Sequence, residues 1–383
     1  MAYTLDSSTH AANFDAQSLQ GQGSTNNYYG GSFAVSKGWL IAKENNPTTS
    51  PATEYLIFTN YRSAIAPVSF TWGGARGFIL GGITQNPTAK VNNIEYWTIA
   101  NPGNATDFGD LTTARQSMAS MSSGTRGVIA GGYEGAVSVA LNEMQYITCA
   151  TPGNGTDFGD LTWQTFYGAG HSNGTKGFYS GGQRASEGSY GYVNTIDQIT
   201  IATTGNATDT ADLTLARAGG DQGVNDATRA VHMGGQSASQ REDVIDYFSM
   251  DTTSNAVDFG DIASGGRVRA ASGSDVTYGI LAGGRRTGSS HANDWTENID
   301  YITIQTTGNS SDFGDLTTFY ENMSGASDNT YMTMAGAAGN DGNSNVRYNV
   351  IERITIATPG NSADFGDLTQ EVEQGAGLSG NAA

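Results

Sequence analysis

Short apolar runs, each closed by a pair of small residues, recur along the chain. The pairs are Gly81-Gly82, Gly131-Gly132, Gly181-Gly182, Gly234-Gly235, Gly283-Gly284 and Gly336-Ala337, spaced 49 to 53 residues apart. Most runs open on a basic or aromatic residue followed by a small one: Arg76-Gly77, Arg126-Gly127, Lys176-Gly177, Arg229-Ala230, Tyr278-Gly279. A variable loop follows each pair. Next comes a β-rich stretch such as Ile94-Glu95-Tyr96-Trp97-Thr98-Ile99 or Ile299-Asp300-Tyr301-Ile302-Thr303-Ile304, and then a polar turn leading into a short strand, as in residues 103–112. A small-residue strand, for example Ser117 to Ser123, ends the period. No apolar period of 3.6 residues persists for ten residues, which excludes a helical solenoid.

Four short strands per period, separated by turn signals, predict an all-β fold of repeated antiparallel units. One such unit cannot bury both of its faces, so neighbours must cover it. The spacing therefore predicts a β-propeller with four short antiparallel strands per blade. Ser36-Lys37-Gly38-Trp39-Leu40-Ile41 parallels residues 175–180, and Glu54-Tyr55-Leu56-Ile57-Phe58 parallels Glu95-Tyr96-Trp97-Thr98-Ile99. Counting that shortened copy gives seven blades with a degenerate first; omitting it gives six. Residues 1–25, rich in Ser, Gln, Gly and Asn, read as an N-terminal arm, and 26–383 as a single domain. Residues 374–383 align with the small-residue strand that begins each unit and are expected to close the ring.

Composition refines this picture. Glycine is abundant at 53 of 383 residues and proline sparse at 7, which suits tight turns and crowded inner strands. The formal net charge of −19 argues against a nucleic-acid partner. Twelve acidic residues come from one recurrent segment: Asp107/Asp110, Asp157/Asp160, Asp209/Asp212, Asp258/Asp261, Asp312/Asp315 and Asp364/Asp367. Paired carboxylates can hold Ca²⁺ or divide acid and base roles. A pair that recurs six times fits turn chemistry better, because Asn and Asp bond local backbone and Gly permits positive φ. The Asn-x-Thr/Ser triplets at Asn104, Asn154, Asn206 and Asn309 fall on the same repeat turn and read likewise. With no basic start, no apolar leader and no long apolar run, neither secretion nor membrane insertion is expected.

The apolar run ending in Gly-Gly, followed by a Tyr-bearing strand, resembles the kelch repeat. Ile-Asp-Tyr-Ile-Thr-Ile, followed by Thr-Gly-Asn and Asp-Phe-Gly-Asp-Leu-Thr, resembles kelch-like repeat proteins of marine bacteriophages, over residues 75–370. That resemblance implies a virion or tail-fibre component, made in the host cytoplasm and located on the particle. It implies other virion proteins, in multiple copies, as partners, with a host-surface glycan as the alternative ligand.

No enzyme is expected, and no cofactor or metal. A copper oxidase on a kelch scaffold would need two His and a Tyr cross-linked to Cys. Cys149 is the only thiol and aligns with Ile99, Ile201, Met250, Ile304 and Ile356, a core-strand position. His10, His171, His232 and His291 show no ligand spacing. Residues 156–163 approach a sialidase Asp-box with the Thr one position late, and spacing assigns no arginine triad with a Tyr nucleophile. Recognition is expected where variable loops and unit-to-unit links carry aromatics and arginines. The candidate face is Tyr133, Trp163, Tyr167, Arg184, Tyr190, Tyr192, Arg285, Arg286, His291, Trp295 and Tyr320.

Overall fold

A computed structural model describes residues 74–382, apart from 136–138, 187–188, 220–222, 253, 289–293 and 341–344. Before residue 74 it describes three strands, Phe33–Ser36, Trp39–Lys43 and Glu54–Ile57. The arm expected at 1–25 lies outside the described residues. The chain divides into two compact units, Met1–Phe70 and Thr71–Ala383. In the first unit the three strands form one antiparallel sheet in sequence order.

The second unit is all-β, with no helix among its described elements. Its strands form nine separate small antiparallel sheets. This overturns the expected kelch-like β-propeller, whether of seven blades with a degenerate first or of six: the sheets are discrete, and none is closed or curled on itself. The repeat spacing reports equivalent units and their strand content. It is silent on whether those units merge into one architecture. The decayed copy at 36–58 falls in the first compact unit, and the described strands there form a sheet of their own.

Six of the nine sheets share one four-stranded order. Sheet I comprises Ala376–Gly380, Arg76–Gln85, Thr88–Thr98 and Thr106–Asp110. Sheet II runs Ala119–Ser122, Arg126–Ala130, Glu143–Thr148, Thr156–Asp160, and sheet III Ala169–Ser172, Lys176–Ser180, Thr195–Thr200, Thr208–Asp212. Sheet IV holds Gly223–Asn225, Arg229–Gln236, Arg241–Ser249 and Val257–Asp261. Sheet V holds Ala271–Ser274, Tyr278–Ala282, Asn298–Thr303 and Ser311–Asp315; sheet VI holds Ser324–Ser327, Tyr331–Asn340, Asn345–Thr355 and Ala363–Asp367. The C-terminal strand pairs with Arg76–Gln85, Ala376 opposite Leu80 and Gly380 opposite Arg76. In sheets I, IV and VI the middle hairpin runs long. In II, III and V it is interrupted, and its outer part forms the three remaining small sheets.

No β-ladder joins one of the six sheets to another. Their apolar faces meet in six clusters, each shared by two neighbours. Phe78, Leu80, Ile94 and Phe108 of sheet I pack with Met118, Ile129, Ile147 and Cys149 of the sheet II repeat. Phe365 and Leu368 of the sheet VI repeat pack with Ile79, Trp97 and Ile99 of sheet I. Cys149 is fully buried, and burial pushes its thiol up to about 12.

Recurrent polar contacts fix the neighbours in register, and they return from sheet VI to sheet I. The amide of the second Asp in each Asp-Phe-Gly-Asp copy, or its equivalent, donates to the turn Asn of the next repeat. The pairs are Asp110–Asn154, Asp160–Asn206, Asp212–Asn255, Asp261–Asn309, Asp315–Asn361 and Asp367–Asn104, at 3.0 to 3.2 Å. The Asn is therefore a clasp between repeats and not the local turn bond its sequence context suggested. Glycine relieves crowding between Phe and Asp in five copies: at Gly159, φ is 135° and a Cβ would lie 2.5 Å from the Gly205 carbonyl oxygen, whereas the sheet III copy holds Ala211 there without a positive φ. A second clasp uses the acceptor on the third strand. Glu95, Gln145, Asp197, Asp246, Asp300 and Glu352 take the hydroxyl or amide of Thr369, Thr112, Thr162, Thr214, Ser264 and Thr317.

Basic residues at the start of the second strand make a third clasp. Arg76 donates to the carbonyls of Cys149 and Ala150, Arg126 to Ile201 and Ala202, Lys176 to Met250 and Asp251, Arg229 to Ile304. Arg76, Arg126 and Arg229 also stack over Tyr96, Tyr146 and Tyr247. Sheet VI exchanges the two types: Tyr331 starts the strand, and Arg353 across from it stacks on that ring and reaches the Ile99 and Ala100 carbonyls.

Candidate functional site, a polar cup at one end of the repeats

The strand order puts the Gly pairs, the variable loops and the unit-to-unit links at one end of the sheets. The constant Asn/Asp turns lie at the other. Glycine relieves crowding at most positions where the loops leave, Ala337 of the last pair excepted. At Gly132 φ is 88°, and a Cβ would stand 2.6 Å from the Gln116 carbonyl oxygen in the link.

At the loop end, the residue two positions before most of the first strands belongs to a ring of backbone hydrogen bonds. Ser117 N–H donates to Gln374, Tyr167 to Ser117, Gly219 to Tyr167, Arg269 to Gly219, Asn322 to Arg269 and Gln374 to Asn322, at 2.8 to 3.1 Å. The six positions are equivalent, yet each holds a different residue. Ser117, Tyr167, Arg269, Asn322 and Gln374 all have φ between 57° and 61°. A non-glycine residue in that region costs roughly 1–2 kcal/mol relative to glycine. A chain with 53 glycines thus keeps five strained side chains where glycine would be free of strain.

These side chains line a shallow, solvent-open cup whose enclosed volume is only about 20 Å³, so a ligand would rest on its rim. Gln374 Oε1 accepts from Gln116 Nε2 at 2.7 Å, Ser117 Oγ at 2.8 Å and Tyr167 Oη at 3.1 Å. Tyr133 meets Phe166 edge-on with ring centroids 4.8 Å apart, and Tyr167 at 6.2 Å. Burial raises the Tyr167 phenol above its ordinary value, and the Arg269 charge partly offsets this. Glu321 accepts from Arg285 Nε at 2.6 Å and from its Nη2 at 2.7 Å. Glu373 is held by Arg347 Nε and Asn322 Nδ2, both at 2.7 Å.

The residues expected to form a recognition face separate in the structure. Tyr133 and Tyr167 are brought together at the cup. Trp163 is 43% exposed, with the Arg184 guanidinium 3.1 Å from its ring centre. Tyr192 is half-buried. Arg286 donates to the Ser264 carbonyl at 3.1 Å and Arg285 is committed to Glu321. Trp295 is fully buried and Tyr320 nearly so, its phenol pushed up to about 12 by burial. These two belong to the packing and offer no contact surface. His291 and the Tyr190 side chain lie outside the described residues. Sequence reasoning missed Ser117, Arg269, Asn322 and Gln374. The available signal was their shared column, a fixed step before the small-residue strand, in which residue type changes at every repeat.

Among the described residues no group of three His, Cys, Asp or Glu is placed to hold a metal ion. His171 and His232 are fully buried and bridged by one hydroxyl: Ser180 Oγ lies 2.9 Å from His171 Nε2 and 2.9 Å from His232 Nδ1. Burial lowers both, His171 to about 4 and His232 well below its ordinary value, with Arg217 adding to the latter. A histidine depressed on folding contributes stability above its unfolded value near 6.5 and loses it as pH falls through the folded value. The urea midpoint is therefore expected to drop between pH 6.5 and 5, while most carboxylates remain ionised. Replacing His171 with Gln and His232 with Asn should flatten that drop. An unchanged slope in the double variant would contradict the assignment.

No family model matches the chain, and no curated protein matches its sequence. The resemblance to kelch-like phage proteins thus has no support from homology, and the nine discrete sheets contradict the kelch and propeller reading. The function expected from it, docking of virion proteins on a rigid closed propeller, loses its structural basis.

Proposed function

We propose that this chain is a non-catalytic binding protein that recognises a polyhydroxylated ligand, of the saccharide type, at the polar cup. The observation that carries the reading is the ring of six equivalent positions filled by six different residues, five of them held at positive φ. Backbone strain that persists around a concavity points to side chains kept for what they contact. Amide, hydroxyl and guanidinium groups beside tyrosine rings match the needs of a sugar, which offers paired hydroxyls and an apolar ring face. Acid–base or nucleophilic chemistry finds less support, since both described histidines are buried away from the cup.

The test is a saccharide array probed with the full chain and with a Tyr167→Ala, Gln374→Ala double variant. The wild type is expected to bind a subset of sugars, and the variant to lose at least ten-fold in signal while remaining folded. Equal signals from the two proteins would move binding away from the cup.

A further inference from the structure

We infer that the ligand carries a carboxylate, as a uronic acid does, and that Arg269 is the residue that reads it; this rests on the cup being the binding site. Three guanidinium groups, Arg269, Arg285 and Arg347, meet two carboxylates, Glu321 and Glu373, at the loop end. Arg285 and Arg347 grip those carboxylates at 2.6 to 2.7 Å. Asn322 takes the remaining Glu373 oxygen. Arg269 is left with one ion pair among the described residues, a long 3.3 Å contact from Nη1 to a Glu321 oxygen that Arg285 already binds.

Among the groups gathered around Glu321 and Glu373, guanidiniums outnumber carboxylates three to two, on a protein of net charge −19. Arg269 is held toward the cup by the backbone ring at a φ of 59° and lies 5.8 Å from the face of Tyr167. A guanidinium with uncommitted donors offers a planar fork that matches a carboxylate bidentately. The neighbouring Asn322 and Gln374 amides and the Tyr167 ring lie where the hydroxyls and ring of the same sugar would reach. Repulsion from the acidic Asn/Asp turns is weak at the cup, because the Debye length at physiological salt is about 8 Å and those turns lie at the other end of the sheets.

The experiment is an NMR titration of the full chain with glucuronate, glucose and acetate, on wild type, Arg269→Gln and Arg269→Gly. Glucuronate is expected to bind at least ten-fold more tightly than glucose or acetate. Arg269→Gln should bring glucuronate down to the glucose level and leave glucose unchanged. Arg269→Gly relieves the positive-φ strain, so it should unfold no earlier than wild type while losing the same preference; this separates lost recognition from lost folding. If glucose binds as well as glucuronate, or the preference survives both substitutions, the carboxylate inference is overturned and the cup reading stands. If none of the three probes perturbs the cup, both are overturned.

Discussion

Replacing Asp246 with Ala should cost about 3–5 kcal/mol of folding stability. Asp246 and Arg217 are both fully buried, with Nη1 and Oδ2 2.8 Å apart. Arg217 also donates from Nε to the Gly234 carbonyl at 2.7 Å, so it is locked in place and cannot turn toward water. Burial lowers its proton affinity and the Asp246 charge offsets that. Removing the carboxylate leaves a desolvated cation and takes away the acceptor for Thr214 N and Oγ1, at 3.0 and 2.6 Å. Asp246→Asn keeps an acceptor for Thr214 and should cost less. Glu95→Gln is the informative control. It occupies the same column without a buried arginine partner among its contacts, and sheet II already uses Gln145 there. It should change stability by less than about 1 kcal/mol. Urea denaturation of the three variants reads these differences. A loss in Asp246→Asn as small as that in Glu95→Gln, beside a large loss in Asp246→Ala, would mean the acceptor matters and the ion pair does not.

Deleting residues 374–383 should abolish cooperative folding of the second unit. The strand Ala376–Gly380 supplies the first strand of sheet I. Leu378 and Ala376 are buried in the cluster with Phe78 and Leu80, which the deletion would expose. Each large apolar side chain returned to water costs about 1.5–3 kcal/mol. The loss also removes Gln374 from the backbone ring and the Gly377 and Ser379 carbonyls that accept from Ser120 and Ser122. Together these exceed the margin of a typical domain, about 5–15 kcal/mol, so the truncated chain should show no sharp thermal transition. A synthetic peptide of residues 374–383 added in trans should restore part of it. A truncated chain melting at the wild-type temperature would show that the strand contributes little.

Much of the local structure was legible because the sequence repeats its own punctuation. The Gly pairs marked where a strand leaves toward the loops, since only glycine tolerates the nearby link carbonyl at positive φ. Cys149 was legible as core from its column of Ile and Met residues. What could not be read was the meaning of contacts that cross a whole repeat. Asn154 stands beside its own turn in the sequence, but its oxygen serves Asp110 in the preceding repeat. Trp295 and Tyr320 looked like contact residues because aromatic residues in variable loops often are, and they are instead buried. The step from repeat to propeller failed because periodicity gives strand content and spacing, whereas the strands form separate open sheets joined by isolated hydrogen bonds. The cup residues were hidden for a different reason. A functional column in a repeat is one that varies, and variation in a single sequence looks like noise until the backbone brings the six positions together.

The account depends on the six sheets being linked in series, with the last link made by the C-terminal strand beside Arg76–Gln85. Hydrogen exchange of the intact chain, followed by mass spectrometry, tests this most directly. Amides of residues 374–380 should exchange as slowly as those of 117–122 and 324–327, over hours. Complete exchange of 374–380 within seconds, with the other two segments protected, would contradict it.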